Sequence, residues 1–265
     1  MTDLKTIHAN AKEIRNKLSL LTYPLAIKMV KHEEEIPKDA IRPFKDMGYH
    51  LDNCQAFAMS RWGQKMVAMT KEDMWCMTPF IGYGFVKPSK EWLKGEQRNI
   101  LGPNPEVIKE SVQSVPHFKV GEYMGIISAP LEKCSFEPDM FIIYVNPYRL
   151  THILVAKDLI DGVHINCTLS GHAACIWAVV PVLQKRKCWV ASPCRGDRSI
   201  AMTQSDEVIF SAPIEILGDF VNVFKYLEEH NQMPFELGLH PEHKLKDGYA
   251  DIGRTMGIPY NGVTD

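Results

Sequence analysis

The hydrophobic pattern of the chain alternates between helical and strand-like segments. Apolar residues at three- and four-residue steps predict an amphipathic helix over residues 3–21, with Thr2 or Asp3 as its N-cap. Short apolar runs bounded by polar turns are typical of strands. The strands predicted in this way cover 24–30, 121–130 and 139–145, and the further helices cover 106–115, 148–161 and 213–230.

One segment of the chain recurs. The run Ile-Ile-Ser-Ala-Pro-Leu-Glu at 126–132 returns as Val-Ile-Phe-Ser-Ala-Pro-Ile-Glu at 208–215. Upstream of each copy, a cysteine opens a helix-like segment, a turn and a strand follow, and a second cysteine lies in the loop after that strand. These places are held by Cys54 and Cys76 in the first copy and by Cys175 and Cys194 in the second. The shared order predicts an internal duplication.

The duplication predicts a fold of the α/β (α+β) class, with two lobes, mixed sheets and flanking helices. The first repeat carries an insertion punctuated by Gly and Pro, and the tail, which is also rich in Gly and Pro, is expected to be an irregular arm. The predicted parts are an N-terminal helix at 1–22, a first α/β repeat at 23–133 with its insertion at 82–118, a second repeat at 139–231 and the C-terminal arm at 232–265.

Composition narrows the class of protein. Of the 265 residues, 45% are hydrophobic and 23% are charged, and the formal net charge is -2. This near-neutral balance predicts neither nucleic-acid binding nor a polybasic membrane contact. The N-terminus lacks the apolar core of a secretory signal and no run is long enough to span a membrane, so a cytoplasmic protein is expected. A homo-oligomer is compatible with this composition.

The seven cysteines are the residues in the sequence that say most about its possible chemistry. In a reducing compartment, an odd number of cysteines favours metal, cluster or catalytic use over a disulfide framework. Two of them, Cys54 and Cys175, fall at predicted helix N-termini, where the helix dipole favours a thiolate and lowers the thiol pKa. The other two of the repeated set, Cys76 and Cys194, fall in predicted loops. If the two copies pack as a pseudo-dimer, all four thiols meet at one place.

Thiolates select zinc or iron–sulfur clusters among biological metals. Zinc ribbons supply closely spaced Cys-x-x-Cys pairs, and this sequence has none. Four isolated thiolates suit a [4Fe-4S] cluster better, while zinc and unligated cysteines stay open as alternatives. Burial as small apolar side chains is the expected role of Cys134, Cys167 and Cys188.

Other polar residues near these cysteines suggest further roles. Either Arg195 or Arg198 could clamp a carboxylate or phosphate beside the site. The alternative is a structural ion pair between Asp197 and Arg198. The aromatic ring of Trp75, next to Cys76, is expected to shield a cluster from solvent.

Several short motifs mark residues 20–225. They are Tyr23–Lys28 after the first helix, Asn53–Ala56, Asp73–Cys76, Ser128–Glu132 and Ser192–Arg198. In these motifs the chain resembles the domain of unknown function family number 169, which is common in anaerobic bacteria and archaea. The resemblance implies that Cys54, Cys76, Cys175 and Cys194 are the recurring cysteines of that family, and it leaves the tail beyond Gln232 outside. The family name implies no biochemical activity.

The leading hypothesis is a cytoplasmic protein that binds one [4Fe-4S] cluster between its two halves through these four cysteines. It would serve electron transfer or cluster-assisted chemistry in anaerobic metabolism, with a redox partner protein or a small anionic substrate as its partner. Two alternatives stay open. One is a binding module for a small molecule or tetrapyrrole without a cluster, and the other is an enzyme that uses Cys175 or Cys194 as a nucleophile with His164 or His172.

Overall fold

The computed structural model describes residues 3–96, 103–234 and 248–257. The chain divides into two compact units, Met1–Met233 and Pro234–Asp265. The helices of the described residues are α1 Leu4–Lys17, α2 Asn53–Arg61, α3 Met77–Gly82, α4 Lys90–Leu93, α5 Pro105–Ser114, α6 Pro147–Asp161, α7 Ala174–Lys185, α8 Arg195–Ile200, α9 Leu217–Glu229 and α10 Tyr249–Thr255. The short helix α10 belongs to the second unit, so the arm predicted to be irregular contains a helix.

The first unit is built on one seven-stranded sheet in the described part of the chain. Its strands are β1 Leu25–Val30, β2 Val67–Thr70, β3 Gly125–Pro130, β4 Met140–Val145, β5 Asn166–Thr168, β6 Trp189–Ala191 and β7 Val208–Pro213. They lie in the order β2-β3-β1-β4-β7-β6-β5, and all neighbours are antiparallel except β5 and β6. The mixed sheet flanked by helices confirms the predicted fold class.

Helices cover both faces of this sheet. Successive side chains of a strand point to opposite faces, and in β1 the residues Ala26 and Val30 pack with α1, α6 and α9. On the other face, Leu25 and Ile27 of the same strand pack with α2 and α7. The helix predicted over 3–21 is confirmed as α1, which Asp3 caps by accepting a hydrogen bond from the backbone N–H of Thr6.

The strand order is symmetric about its centre. Matching β1, β2 and β3 with β4, β6 and β7 makes the order β2-β3-β1-β4-β7-β6 the same from either edge. The registers follow this match, because Pro130 and Pro213 pair with the first residues of β1 and β4, and Ser128 and Ser211 with the first residues of β2 and β6. Both halves therefore contribute to one continuous sheet with the pairing expected of a duplicated unit, while the duplication itself stays a prediction.

None of the helices in the described ranges has the length and apolar character needed to cross a bilayer.

Candidate metal centre

Each of the four predicted cysteines lies at the start of a helix. As the second residue of α2, Cys54 follows Asn53, and Cys175 is likewise the second residue of α7. The N-caps of α3 and α8 are Cys76 and Cys194. Cys76 and Cys194 lie in loops, as predicted, and a short helix that the sequence pattern did not predict begins directly after each of them. The pattern is the same in both halves of the sheet.

The structure brings these four residues together, and we call them the four-cysteine site. Helix α2 of the first half contacts α8 of the second, and α3 of the first half contacts α7 of the second. As a result, every thiol lies close enough to the other three to influence its ionisation. A Cβ added at Gly196 would lie 3.6 Å from Cys54 Sγ and 3.7 Å from Cys194 Sγ, so both sulfurs border the same small space.

Burial controls the ionisation of the site. It raises the pKa of all four thiols, to about 12 for Cys76, and the Asp197 carboxyl and the neighbouring thiols raise the pKa of Cys54 further. This direction is opposite to the lower pKa predicted for Cys54 and Cys175 at helix N-termini, because burial disfavours the charged thiolate. A bound metal would favour the thiolate instead, since a coordinating thiol is deprotonated.

A buried carboxyl group lies at one side of the four-cysteine site. The side chain of Asp197, 1% exposed, accepts hydrogen bonds at Oδ2 from the Cys194 thiol at 3.1 Å and from its backbone N–H at 3.3 Å. The Tyr144 hydroxyl donates to Oδ1 of the same carboxyl at 3.2 Å. Burial raises the pKa of Asp197. Sequence reasoning treated Asp197 only as a partner of Arg198 and missed Tyr144.

Behind Tyr144 lies a buried ion pair. The Arg61 guanidinium packs on the Tyr144 ring, with Cζ 3.8 Å from the ring centroid. The same guanidinium binds Glu207 through two hydrogen bonds, at 3.0 and 3.1 Å. With 1% of Arg61 exposed, this pair is sealed from solvent and joins α2 to the segment before β7.

A second hydrogen-bonded chain links the helices that carry Cys54 and Cys175. The buried Asn53 side chain donates to the Tyr83 hydroxyl at 3.1 Å, and that hydroxyl donates to the backbone carbonyl of Cys175 at 3.3 Å. Tyr83 directly follows α3 and is fully buried. Contacts of this kind between distant parts of the chain carry no signal in the sequence.

The two predicted substrate-binding arginines, Arg195 and Arg198, both lie on α8 and are exposed. The Arg198 guanidinium donates to the backbone carbonyls of Gln204 and Glu207 and so holds the segment after α8, while the residue stays exposed. The alternative ion pair between Asp197 and Arg198 is wrong, because Asp197 points to Cys194 and Tyr144. The side chain of Arg195 is exposed at the first position of α8.

The aromatic and histidine predictions around the site are corrected as well. At 71% exposed, Trp75 covers no cluster, and its ring lies beside His50. His164 is exposed and lies 3.6 Å from Asp158 Oδ1, and His172 is also exposed. Among the described residues, neither histidine is hydrogen-bonded to Cys175 or Cys194. A contact that sequence reasoning missed, 3.7 Å from Cys134 Sγ to His8 Nε2, involves a thiol whose pKa burial raises to about 11.

One alternative to a cluster, a single zinc ion, meets a steric limit. Within the parts of the chain that the structure describes, no three His, Cys, Asp or Glu side chains are arranged to hold a single metal ion. A tetrahedral zinc site needs sulfurs about 3.8 Å apart, given Zn–S bonds of about 2.3 Å. In a [4Fe-4S] cluster the four cysteine sulfurs bind different iron atoms and lie farther apart than this. The steric limit therefore applies to a single metal ion and not to a cluster.

Comparisons with known proteins identify relatives without an assigned activity. The family model DUF169, described as uncharacterised ArCR, matches residues 13–223. An uncharacterised protein of Methanocaldococcus jannaschii, MJ0308, is 24% identical over 231 residues, which cover 86% of this chain and 97% of the relative. No solved structure matches the chain.

Proposed function

The chain belongs to the DUF169 family, and from the geometry of its four-cysteine site we propose that it is an iron–sulfur protein that binds one [4Fe-4S] cluster. The observation that supports this proposal most strongly is the position of Cys54, Cys76, Cys175 and Cys194 at the starts of four helices that contact one another across the two halves, α2 with α8 and α3 with α7. Thiolates from separate elements suit the four well-separated corners of such a cluster.

The surroundings of the site also fit this group. The side chains of Cys54 and Cys175 are buried, and Cys76 and Cys194 are partly buried, so the protein excludes most water from the sulfurs. Soft sulfur donors are the ligands that iron–sulfur clusters take. The absence of a side chain at Gly196 leaves space beside Cys54 Sγ and Cys194 Sγ that a Cβ would otherwise fill.

The donor set favours electron transfer over ligand exchange. A [4Fe-4S] cluster supplies one-electron redox chemistry, and four thiolates would leave no iron open. In this proposal the protein works in the cytoplasm and its partner is a redox protein. A form with three thiolate ligands would leave one iron for a small anionic substrate, with the exposed Arg195 or Arg198 as the candidate to bind its charge.

Anaerobic purification followed by iron and sulfide analysis tests the proposal. We expect brown protein with about four iron and about four sulfide per chain. The variants Cys54→Ala and Cys194→Ala should lose the cluster and accumulate at lower yield, since structural metal sites contribute about 10–16 kcal/mol to folding, comparable with the whole stability of a domain.

The matched control is Cys188→Ala, because Cys188 packs in the core on the opposite face of the sheet from the site. This variant should keep full iron content and lose only packing energy. Wild-type protein that is folded, colourless and free of iron after anaerobic purification would exclude the proposal. Folded Cys54→Ala and Cys194→Ala proteins with full iron content would exclude these residues as ligands.

A further inference from the structure

The two N-cap cysteines of the four-cysteine site have different surroundings. Both oxygens of Asp197 are engaged at Cys194, where Oδ2 accepts from the sulfur and the backbone N–H and Oδ1 accepts from Tyr144. Asp197 is the third residue of α8, so its carboxyl closes the first turn of that helix onto its own N-cap. The backbone contact does not depend on the sulfur proton, so it can fix this turn when the sulfur binds iron.

The equivalent position in the first half has no carboxyl group. The third residue of α3 is Pro79, which offers Cys76 neither a side-chain acceptor nor a donor. The site therefore combines two thiols with matching places in the fold; the Asp52 carboxyl lies near Cys76, but among the described residues only Cys194 is hydrogen-bonded to a carboxyl group. This difference breaks the symmetry that the strand registers otherwise maintain.

The Asp197 carboxyl is held in place by Tyr144, which in turn packs on Arg61. The Tyr144 hydroxyl orients the carboxyl, and the Tyr144 ring is fixed by the Arg61 guanidinium at 3.8 Å. The Tyr144 side chain projects from β4, the central strand of the second half, and both Tyr144 and Asp197 are buried. The carboxyl is thus locked by one rigid strand and one helix, as expected of a group that orients a metal ligand.

We propose that Asp197 and Tyr144 are positioning residues of the four-cysteine site, which orient Cys194 as an iron ligand and tune the cluster through its sulfur. This inference rests on the proposed function. It assigns to these two residues the role that outer-sphere partners of metal ligands have in other proteins, where they fix the ligand and adjust the electronic properties of the metal. It also predicts that an iron held by Cys194 would differ in its electronic properties from one held by Cys76.

The test compares Tyr144→Phe and Asp197→Asn with wild-type holoprotein. Tyr144→Phe removes only the hydroxyl, and Asp197→Asn keeps the shape but leaves a single oxygen to accept hydrogen bonds. Both variants should assemble a cluster yet release iron to a ferrous chelator about 10- to 100-fold faster, the usual cost of removing such a partner. In Tyr144→Phe the midpoint potential should become more negative, since the carboxyl keeps more negative charge beside the sulfur.

The control is Tyr123→Phe, which removes the same hydroxyl from a partly buried tyrosine that packs on Phe118. It should leave both the iron release rate and the potential unchanged. Circular dichroism and the melting temperature of each variant separate effects on folding from effects on the cluster. A purely structural role of Tyr144 would change the melting temperature without moving the potential or the electron paramagnetic resonance spectrum of the reduced cluster.

The outcomes distinguish the two proposals. Iron-free wild-type protein excludes the proposed function, and this inference with it. Wild-type protein with a cluster, together with Tyr144→Phe and Asp197→Asn variants that match it in iron release, potential and spectrum, excludes the inference alone. If Tyr144→Phe does not fold, the isosteric Asp197→Asn variant decides the same question.

Discussion

The three cysteines outside the four-cysteine site differ in exposure and therefore in reactivity. Cys134 and Cys188 are buried, as predicted, but the prediction is wrong for Cys167, which is exposed on the short strand β5. Burial raises the pKa of Cys134 to about 11 and that of Cys188 to about 12. Since the thiolate is the nucleophile, both buried groups should be inert near neutral pH.

Alkylation measures this difference directly. At pH 8, a thiol with a pKa of about 11 is ionised to only about one part in a thousand, so Cys134 should react far more slowly than Cys167. The thiolate fraction, and with it the reaction rate, should rise about tenfold for each pH unit below that pKa. Peptide mass mapping after brief iodoacetamide treatment of native protein should detect one fast site outside the four-cysteine site. Cys167→Ser should abolish it, and equally fast labelling of Cys134 or Cys188 would contradict the assigned burial.

The sequence could identify the four cysteines but not the residues around them. The cysteines recur in the same order of helix, turn and strand, which is a local pattern. In contrast, Asp197, Tyr144 and Arg61 meet only because α8, β4 and α2 pack together. The direction of the thiol pKa shifts could not be predicted from the sequence for the same reason. The position of a residue in a helix is a local property, but its burial depends on how the elements pack.

At the scale of elements, the short helices α3 and α8 connect the site to the fold. Six residues are too few to show an amphipathic period, so sequence reasoning assigned both segments to loops. Their stability comes from tertiary packing. At its last residue, Gly82, α3 approaches α7 so closely that an added Cβ would lie 2.6, 2.8 and 2.9 Å from three carbons of the Ile176 side chain.

Gly82→Ala should therefore disturb the distance between Cys76 and Cys175. The new methyl group clashes with Ile176, which is fully buried, and overpacking of this kind costs about 1–3 kcal/mol. We expect a lower free energy of unfolding and a lower iron content, measured by denaturant titration and metal analysis. Adding Ile176→Ala removes all three clashing carbons. If Gly82→Ala is as harmful in the Ile176→Ala background as in the wild type, close packing of α3 on α7 is not the reason for this glycine.

At the scale of the whole molecule, the two halves share one sheet through the antiparallel pairing of β1 with β4. The repeated motif predicted two similar units and the correct fold class. It could not predict that the units join edge to edge, because strand neighbours depend on the exposed edges of folded units and not on the pattern within each strand. The symmetric order of strands around this joint places both sets of cysteines on the same face of the sheet.

The buried pair between Arg61 and Glu207 joins the halves near the site. Glu207 also accepts a hydrogen bond from the backbone N–H of Gln204 at 2.8 Å. Removing one member of such a pair leaves a buried charge without a partner, so Arg61→Met should lower the free energy of unfolding by about 3–5 kcal/mol. Denaturant titration of the full chain measures this loss.

The double variant Arg61→Met with Glu207→Gln separates the cost of the orphaned charge from the worth of the pair. Neutral glutamine retains an oxygen for Gln204 and leaves no buried charge, so the double variant should regain stability relative to Arg61→Met, leaving a deficit of about 1–3 kcal/mol from unsatisfied polar groups. An unchanged slope of unfolding free energy against denaturant would show that both variants still unfold as one unit. A double variant no more stable than Arg61→Met would mean that Arg61 contributes through its packing on Tyr144 and not through its charge.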